Sequence, residues 1–192
     1  MKNGYTTLSL SDILAEIEAI SKNAQVTFGH LIAEQINWKP NAESWSVGQC
    51  FDHLITTNGT YFPQFDQIIE GKQRATLWGS MPFLPGLFGR LLINSLKPDS
   101  LRKLKAPQAF HPASSNVDPQ IISKFAANQN DLIAKIKATA IDEIDLKKVI
   151  ITSPALKIMT YSLIDAYRII VVHELRHFNQ AQRVMESPGF PL

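Results

Sequence analysis

The chain has 192 residues, 45% hydrophobic and 19% charged, with 19 Lys plus Arg against 17 Asp plus Glu. That is enough apolar material for one domain with a sizeable core, and it excludes wholesale disorder. A formal charge of +2 supplies neither a basic stripe for nucleic acid nor an acidic face. With one cysteine, Cys50, no internal disulfide forms, and a reducing, cytoplasmic location is expected. Residues 1–20 carry Asp and Glu where an export signal needs an apolar run.

The pattern is mostly helical. A first helix is expected from Ser11 to Ile36, where Leu14, Ile17, Ile20, Ala24, Phe28, Leu31 and Ile32 recur at steps of three or four. Ser11 is its N-cap, Asp12 favours the positive end of the dipole, and Trp38-Lys39-Pro40-Asn41 stops it. A second helix starts at Ser46, because Ser46-Val47-Gly48-Gln49 has capping-box spacing. Trp45 is placed as an apolar staple against Cys50 or Phe51. This helix runs to about Ile69, with a kink or break at Pro63 and a stop at Gly71.

The segment from Ala75 to Pro107 is apolar and rich in turn formers, with a short helix expected over Gly86 to Leu96. Its most apolar part, Leu77 to Ile93, is a poor membrane span because it contains Pro82, Pro85, three glycines and Arg90. It reads as an ordinary crossover packed on the bundle; a lid or a dimer contact is the alternative. A third long helix begins with Asp118 as cap and Pro119 in the first helical position and ends near Thr139. Leu146 to Ser153 is short and can be extended. The last helix spans Ser162 to about Met185, and Pro188, Gly189 and Pro191 end it. Four long amphipathic helices with a long connection at about 71–117 define an all-α four-helix bundle, a single domain over 1–192.

The last helix holds His173-Glu174-Leu175-Arg176-His177. Histidines four apart lie about 40° apart around a helix, so both imidazoles point one way and can chelate a divalent transition metal. Ile170, His173, His177, Gln180, Ala181 and Val184 form one inward stripe, and polar groups buried there need partners. Two ordinary helix histidines, one solvated and one bonded in the core, are the bland alternative.

The string also matches the zincin motif, in which the glutamate is the general base. Fifteen residues follow His177, with Glu186 as their single acid and no third histidine, so a zinc metallopeptidase is the runner-up. Glu174, about 100° round from His173, is expected at the solvent beside Arg176. A third ligand is expected upstream. His53 lies on a polar seam with Gln49, Thr57 and Thr60, whereas His30 and His111 have weaker cases. Gln180 is a candidate for hydrogen-bonding a ligand imidazole or a bound water, with a surface-facing helix glutamine as an equal alternative. Asp52 and Asn58 are read as exposed helix residues, with hydrogen bonding to the ligands as the alternative, and Cys50 as a small core residue, with a thiol nucleophile as the alternative.

Trp45-Ser46-Val47-Gly48-Gln49-Cys50-Phe51-Asp52-His53-Leu54 resembles the WS(I/V)GE…HL signature of the DinB-like superfamily, in its YfiT-like branch. His173, His177 and Gln180 match that family's pattern on the C-terminal helix, and the resemblance spans most of the chain. It implies an up-down-down-up four-helix bundle, often dimeric. It also implies a three-histidine metal site on His53, His173 and His177, with zinc or nickel as the metal. Characterised relatives include S-transferases that use bacillithiol or mycothiol and a maleylpyruvate isomerase; others are described only as metal-dependent hydrolases. Cys50 and the apolar Trp78 to Ile93 insert depart from the pattern.

The expected function is therefore a divalent-metal-dependent enzyme. It either activates water for hydrolysis or holds a low-molecular-weight thiol as a nucleophilic thiolate. Its expected partners are a small-molecule substrate and a second copy of the chain, with no nucleic acid and no membrane. A non-catalytic, stress-related metal-binding bundle is the remaining alternative.

Overall fold

The computed structural model describes residues 4–72, 83–98, 116–141 and 144–191. After a short 3-10 turn, helix α1 spans Leu10–Phe28. Its cap is Ser9, not Ser11. The Ser9 hydroxyl accepts from the Asp12 N–H while the Asp12 carboxylate accepts from the Ser9 N–H at 2.9 Å, so two backbone donors are met by one pair. The expected continuation to Ile36 fails. α1 stops at Gly29, and a separate short helix, α2, covers Ala33–Asn37. The side chain of Asn37, at the end of α2, accepts from the Val117 N–H at 2.6 Å and donates to the Val117 carbonyl at 2.9 Å, which ties α2 to the segment before α6. Leu31 stays buried across the break, but Ile32 turns out to solvent.

Helix α3, Val47–Gly59, begins where its sequence demands. Ser46 Oγ accepts from the Gln49 N–H and Gln49 Oε1 accepts from the Ser46 N–H, both at 3.1 Å. Gly48 lets the start of α3 sit hard against α2, since a Cβ there would lie 2.8 Å from Ile36 Cγ2. The break expected near Pro63 falls at Thr60–Tyr61, and α4 covers Phe62–Ile69 with the proline in its first turn. There the missing N–H leaves no bond unmade.

Helix α5 spans Leu84–Leu96 and buries Pro85, Gly89 and Ile93; residues 73–82 and 99–115 of the connection lie outside the described residues. Helix α6 spans Ile121–Thr139. It starts later than the Asp118 cap implied, because Asp118-Pro119 forms a turn in which the Asp118 carboxylate accepts from the Gln120 N–H. The segment 146–153 is extended only in part: residues 146–148 form a turn, and β1 (Ile150–Thr152) pairs antiparallel with β2 (Thr160–Ser162), Ile151 opposite Tyr161. Ser162 then caps α7, Leu163–Met185.

α1 and α3 each pack against both α6 and α7, so the four helices close a bundle with α6 and α7 across its diagonal; α5 and the hairpin also pack on α7. The core is in two apolar parts. One gathers Ile13, Ile17, Phe65, Leu132, Ile136, Tyr161 and Tyr167. The other gathers Ile20, Phe28, Phe51, Leu54, Phe125, Ala181 and Val184. On three helices a buried polar residue falls between the two sets: Asn58 on α3, Gln129 on α6 and Glu174 on α7. Among the described residues, no helix is long and apolar enough to cross a membrane.

Candidate metal centre

Two helices far apart in sequence build the centre. The capping box fixes the start and rotation of α3 and so aims His53 inward, where it is 3% exposed. Four-residue spacing on α7 stacks His173 and His177 on the face that meets α3. The three rings meet edge to face, with centroids 5.0 Å apart for His53–His173, 4.6 Å for His53–His177 and 4.7 Å for His173–His177. One nitrogen from each lies within 4.8 Å of the others, and the His53 and His173 Nε2 atoms are 3.1 Å apart. An ion bound at about 2.0–2.1 Å holds its nitrogens roughly 3.0–3.4 Å apart. The His53–His173 pair already has that spacing, and the three-imidazole group is one that could hold a metal ion.

Electrostatics favour ligands carrying free lone pairs. Burial pulls His173 down to about 3, with the charges of His53 and Arg176 acting in the same direction. Burial also holds His177 well below its usual value, helped by His173, His53 and Arg176 and opposed by Gln180. Both imidazoles are thus neutral at pH 7, the form that binds metal. The buried Nδ1 of His177 has no hydrogen-bond partner, an orphaned acceptor or donor that a coordination site accommodates. Trp45 closes one side, its ring stacked on His177 (5.5 Å, 18°) and tilted on His53 (4.9 Å). Although Trp45 also touches the apolar part around Phe51, its ring partners are the two histidines, a role the staple reading did not anticipate.

Glu174 corrects the sequence reading twice. It does not face solvent; it is 0% exposed. Nor is it beside the imidazole nitrogens as a zincin base: its Oε1 accepts from Asn58 Nδ2 at 2.8 Å and from Gln129 Nε2 at 2.7 Å. Burial pushes its carboxyl up to about 7, against the pull of Gln129 and Asn58. Asn58, expected to be exposed, is fully buried and also donates to Asn128 Oδ1 at 3.0 Å. Gln129 was missed altogether. The signal for it is a glutamine at a position where the Phe125, Leu132, Ile136 face of α6 should be apolar.

The remaining candidates sort simply. Gln180 is half-buried beside His177. Asp52 is half-buried rather than exposed. Burial raises the Cys50 thiol to about 12, only partly offset by Arg183, so it is an inert core residue at neutral pH. His30 is exposed after the end of α1; His111 lies outside the described residues.

These shifts set the acid behaviour of the metal-free protein. Unfolded, His173 and His177 take up protons near 6.5; folded, they do so only far lower. Over the interval between, the unfolded state binds more protons, so stability rises with pH. Glu174 acts oppositely. Its folded value of about 7 lies above the usual 4.5, so its contribution is full below 4.5 and is lost as pH rises through 7. With two histidines against one acid, the midpoint of thermal unfolding should climb from about pH 4.5 to about 6.5 and then level or fall slightly. A flat or falling profile below about pH 6.5, followed by circular dichroism, would contradict neutral buried imidazoles.

Together the fold and the site define a helical bundle whose interior carries a histidine group able to hold a divalent ion. The DinB superfamily model matches residues 16–181, and the chain belongs to that superfamily. No curated protein and no solved structure matches it.

Proposed function

We propose that the protein is a divalent-metal-dependent enzyme, with zinc or nickel on His53, His173 and His177, that transfers a low-molecular-weight thiol of the bacillithiol kind to a small electrophile. The observation that carries this reading is a group that, among the described residues, is made of three imidazoles and no carboxylate, while the acid inside the HExxH string is bound elsewhere by Asn58 and Gln129. A divalent ion there supplies a Lewis acid that favours the deprotonated form of a bound nucleophile. A thiol, with a pKa near 8.5, needs a smaller shift than water, near 15.7, to be ionised at neutral pH. In the net reaction the thiol loses its proton to solvent and its sulfur forms a bond to carbon. The electrophile's leaving group departs with the bonding pair.

The protein's own residues contribute three things. His53 and His177 offer buried imidazoles as ligands. Trp45 walls off one side with its ring. Arg176, half-buried on the same helix, adds positive charge that His173 and His177 both feel and that favours an anionic sulfur nearby.

The test is to incubate metal-loaded protein with bacillithiol and monobromobimane and follow the thioether. Formation should exceed the protein-free rate, stop on chelation and return with added zinc or nickel. Metal-dependent cleavage of a p-nitrophenyl ester without thioether formation would assign a hydrolase instead. Stoichiometric metal with neither reaction would leave a binding bundle.

A further inference from the structure

We infer that Glu174 is a positioning residue for the histidine centre: held by Asn58 of α3 and Gln129 of α6, its carboxylate fixes the rotation and height of α7 that bring His173 and His177 onto His53. The inference rests on the reading that this centre holds a divalent ion, and it concerns what sets its geometry.

Neighbouring residues on a helix differ by about 100° and 1.5 Å, so Glu174 and the flanking histidines leave α7 on different sides. The histidines meet α3 and Trp45, while Glu174 enters the middle of the bundle. There one oxygen, Oε1, takes a hydrogen bond from each of two other helices, at 2.8 Å and 2.7 Å. The Asn58 amide that donates to it also donates to Asn128 at 3.0 Å, so α3, α6 and α7 are joined at one level. α3 and α7 are thereby registered twice, through Asn58–Glu174 and through the imidazoles.

Apolar packing alone does not supply this register. The residues on either side of the level, such as Leu54, Phe125, Leu132 and Ile170, are buried apolar side chains, whose contacts are non-directional and can repack. A directional bond to a fully buried carboxylate does not, because breaking it strands a charged or polar group. Burying a carboxylate is also a poor way to gain stability, since an apolar side chain of like volume fills the space with less desolvation. What the acid gives that a leucine does not is direction.

Cobalt(II) is the probe, because its visible spectrum reports coordination geometry as well as occupancy. Glu174→Leu should retain its helical circular dichroism yet bind cobalt at least about tenfold more weakly, with an altered visible spectrum. Glu174→Gln keeps a carbonyl oxygen for Asn58 and Gln129 and should stay within about threefold of the parent with the parent spectrum. Gln129→Met, which touches no ligand, should weaken binding by about threefold or more and decides the matter if Glu174→Leu does not fold. Parent-like affinity and spectrum in Glu174→Leu or Gln129→Met would overturn the inference, as would failure of Glu174→Gln to rescue. If the parent protein itself takes up no cobalt, the metal reading fails first and the inference falls with it.

Discussion

Replacing His177 with alanine should lower zinc or nickel affinity by about a hundredfold or more while leaving the metal-free fold in place. Structural zinc sites with four ligands bind with about 10–16 kcal/mol, roughly 3 kcal/mol for each ligand, and 1.4 kcal/mol is a factor of ten. His177 is the sharpest choice of the three. It is buried, its Nδ1 has no hydrogen-bond partner, and its ring lies under Trp45. Removing it therefore deletes an unpaired polar atom as well as one of the three imidazoles, and the metal-free protein should melt within a few degrees of the parent. Competition against a chelator of known affinity reads the first effect and thermal unfolding the second. Unchanged metal affinity would remove His177 from the centre.

Phe51→Ala should produce the largest loss of stability. Phe51 is fully buried and meets Phe28 and Phe125 edge to face, with centroids 5.1 Å and 5.0 Å away. Emptying such a site costs about 3–5 kcal/mol, a large part of the 5–15 kcal/mol by which domains are stable. The urea midpoint should drop accordingly. Because α3 also carries His53, metal should restore part of the loss: at a free concentration about 100 times Kd, binding adds roughly 2.7 kcal/mol to the folded state. A loss below about 1 kcal/mol would mean that this part of the core is loosely packed.

The outline of the bundle and the three imidazoles were legible in the sequence because each was written in local code. The Ser46–Gln49 capping box placed the start of α3, and that start set the direction of His53. The four-residue spacing on α7 placed His173 and His177 on one face, and Ser162 marked the helix start. The helix break at Gly29 was not legible, since the apolar period of α1 runs on through it to Leu31 and Ile32, and the Asn37–Val117 pairing that holds α2 in place joins residues 80 positions apart.

Glu174 shows the same limit more plainly. Viewed along α7 alone it is an acid one step off the inner stripe, which is what a solvent-facing residue looks like. Its burial follows only from Asn58 and Gln129 at matching heights on two other helices. Three polar interruptions at one level of three apolar faces were the available clue, and they have meaning only when the helices are aligned with one another. Trp45 was likewise placed correctly along the chain, but its ring partners depend on how α3 meets α7.

X-ray absorption at the metal edge of protein loaded with one equivalent of zinc or nickel tests the central claim most directly. Three imidazoles converging on one ion predict a nitrogen or oxygen shell at about 2.0–2.1 Å with the outer-shell scattering of three rings. A spectrum fitted by one imidazole or none, or uptake that never saturates at one ion per chain, would contradict it.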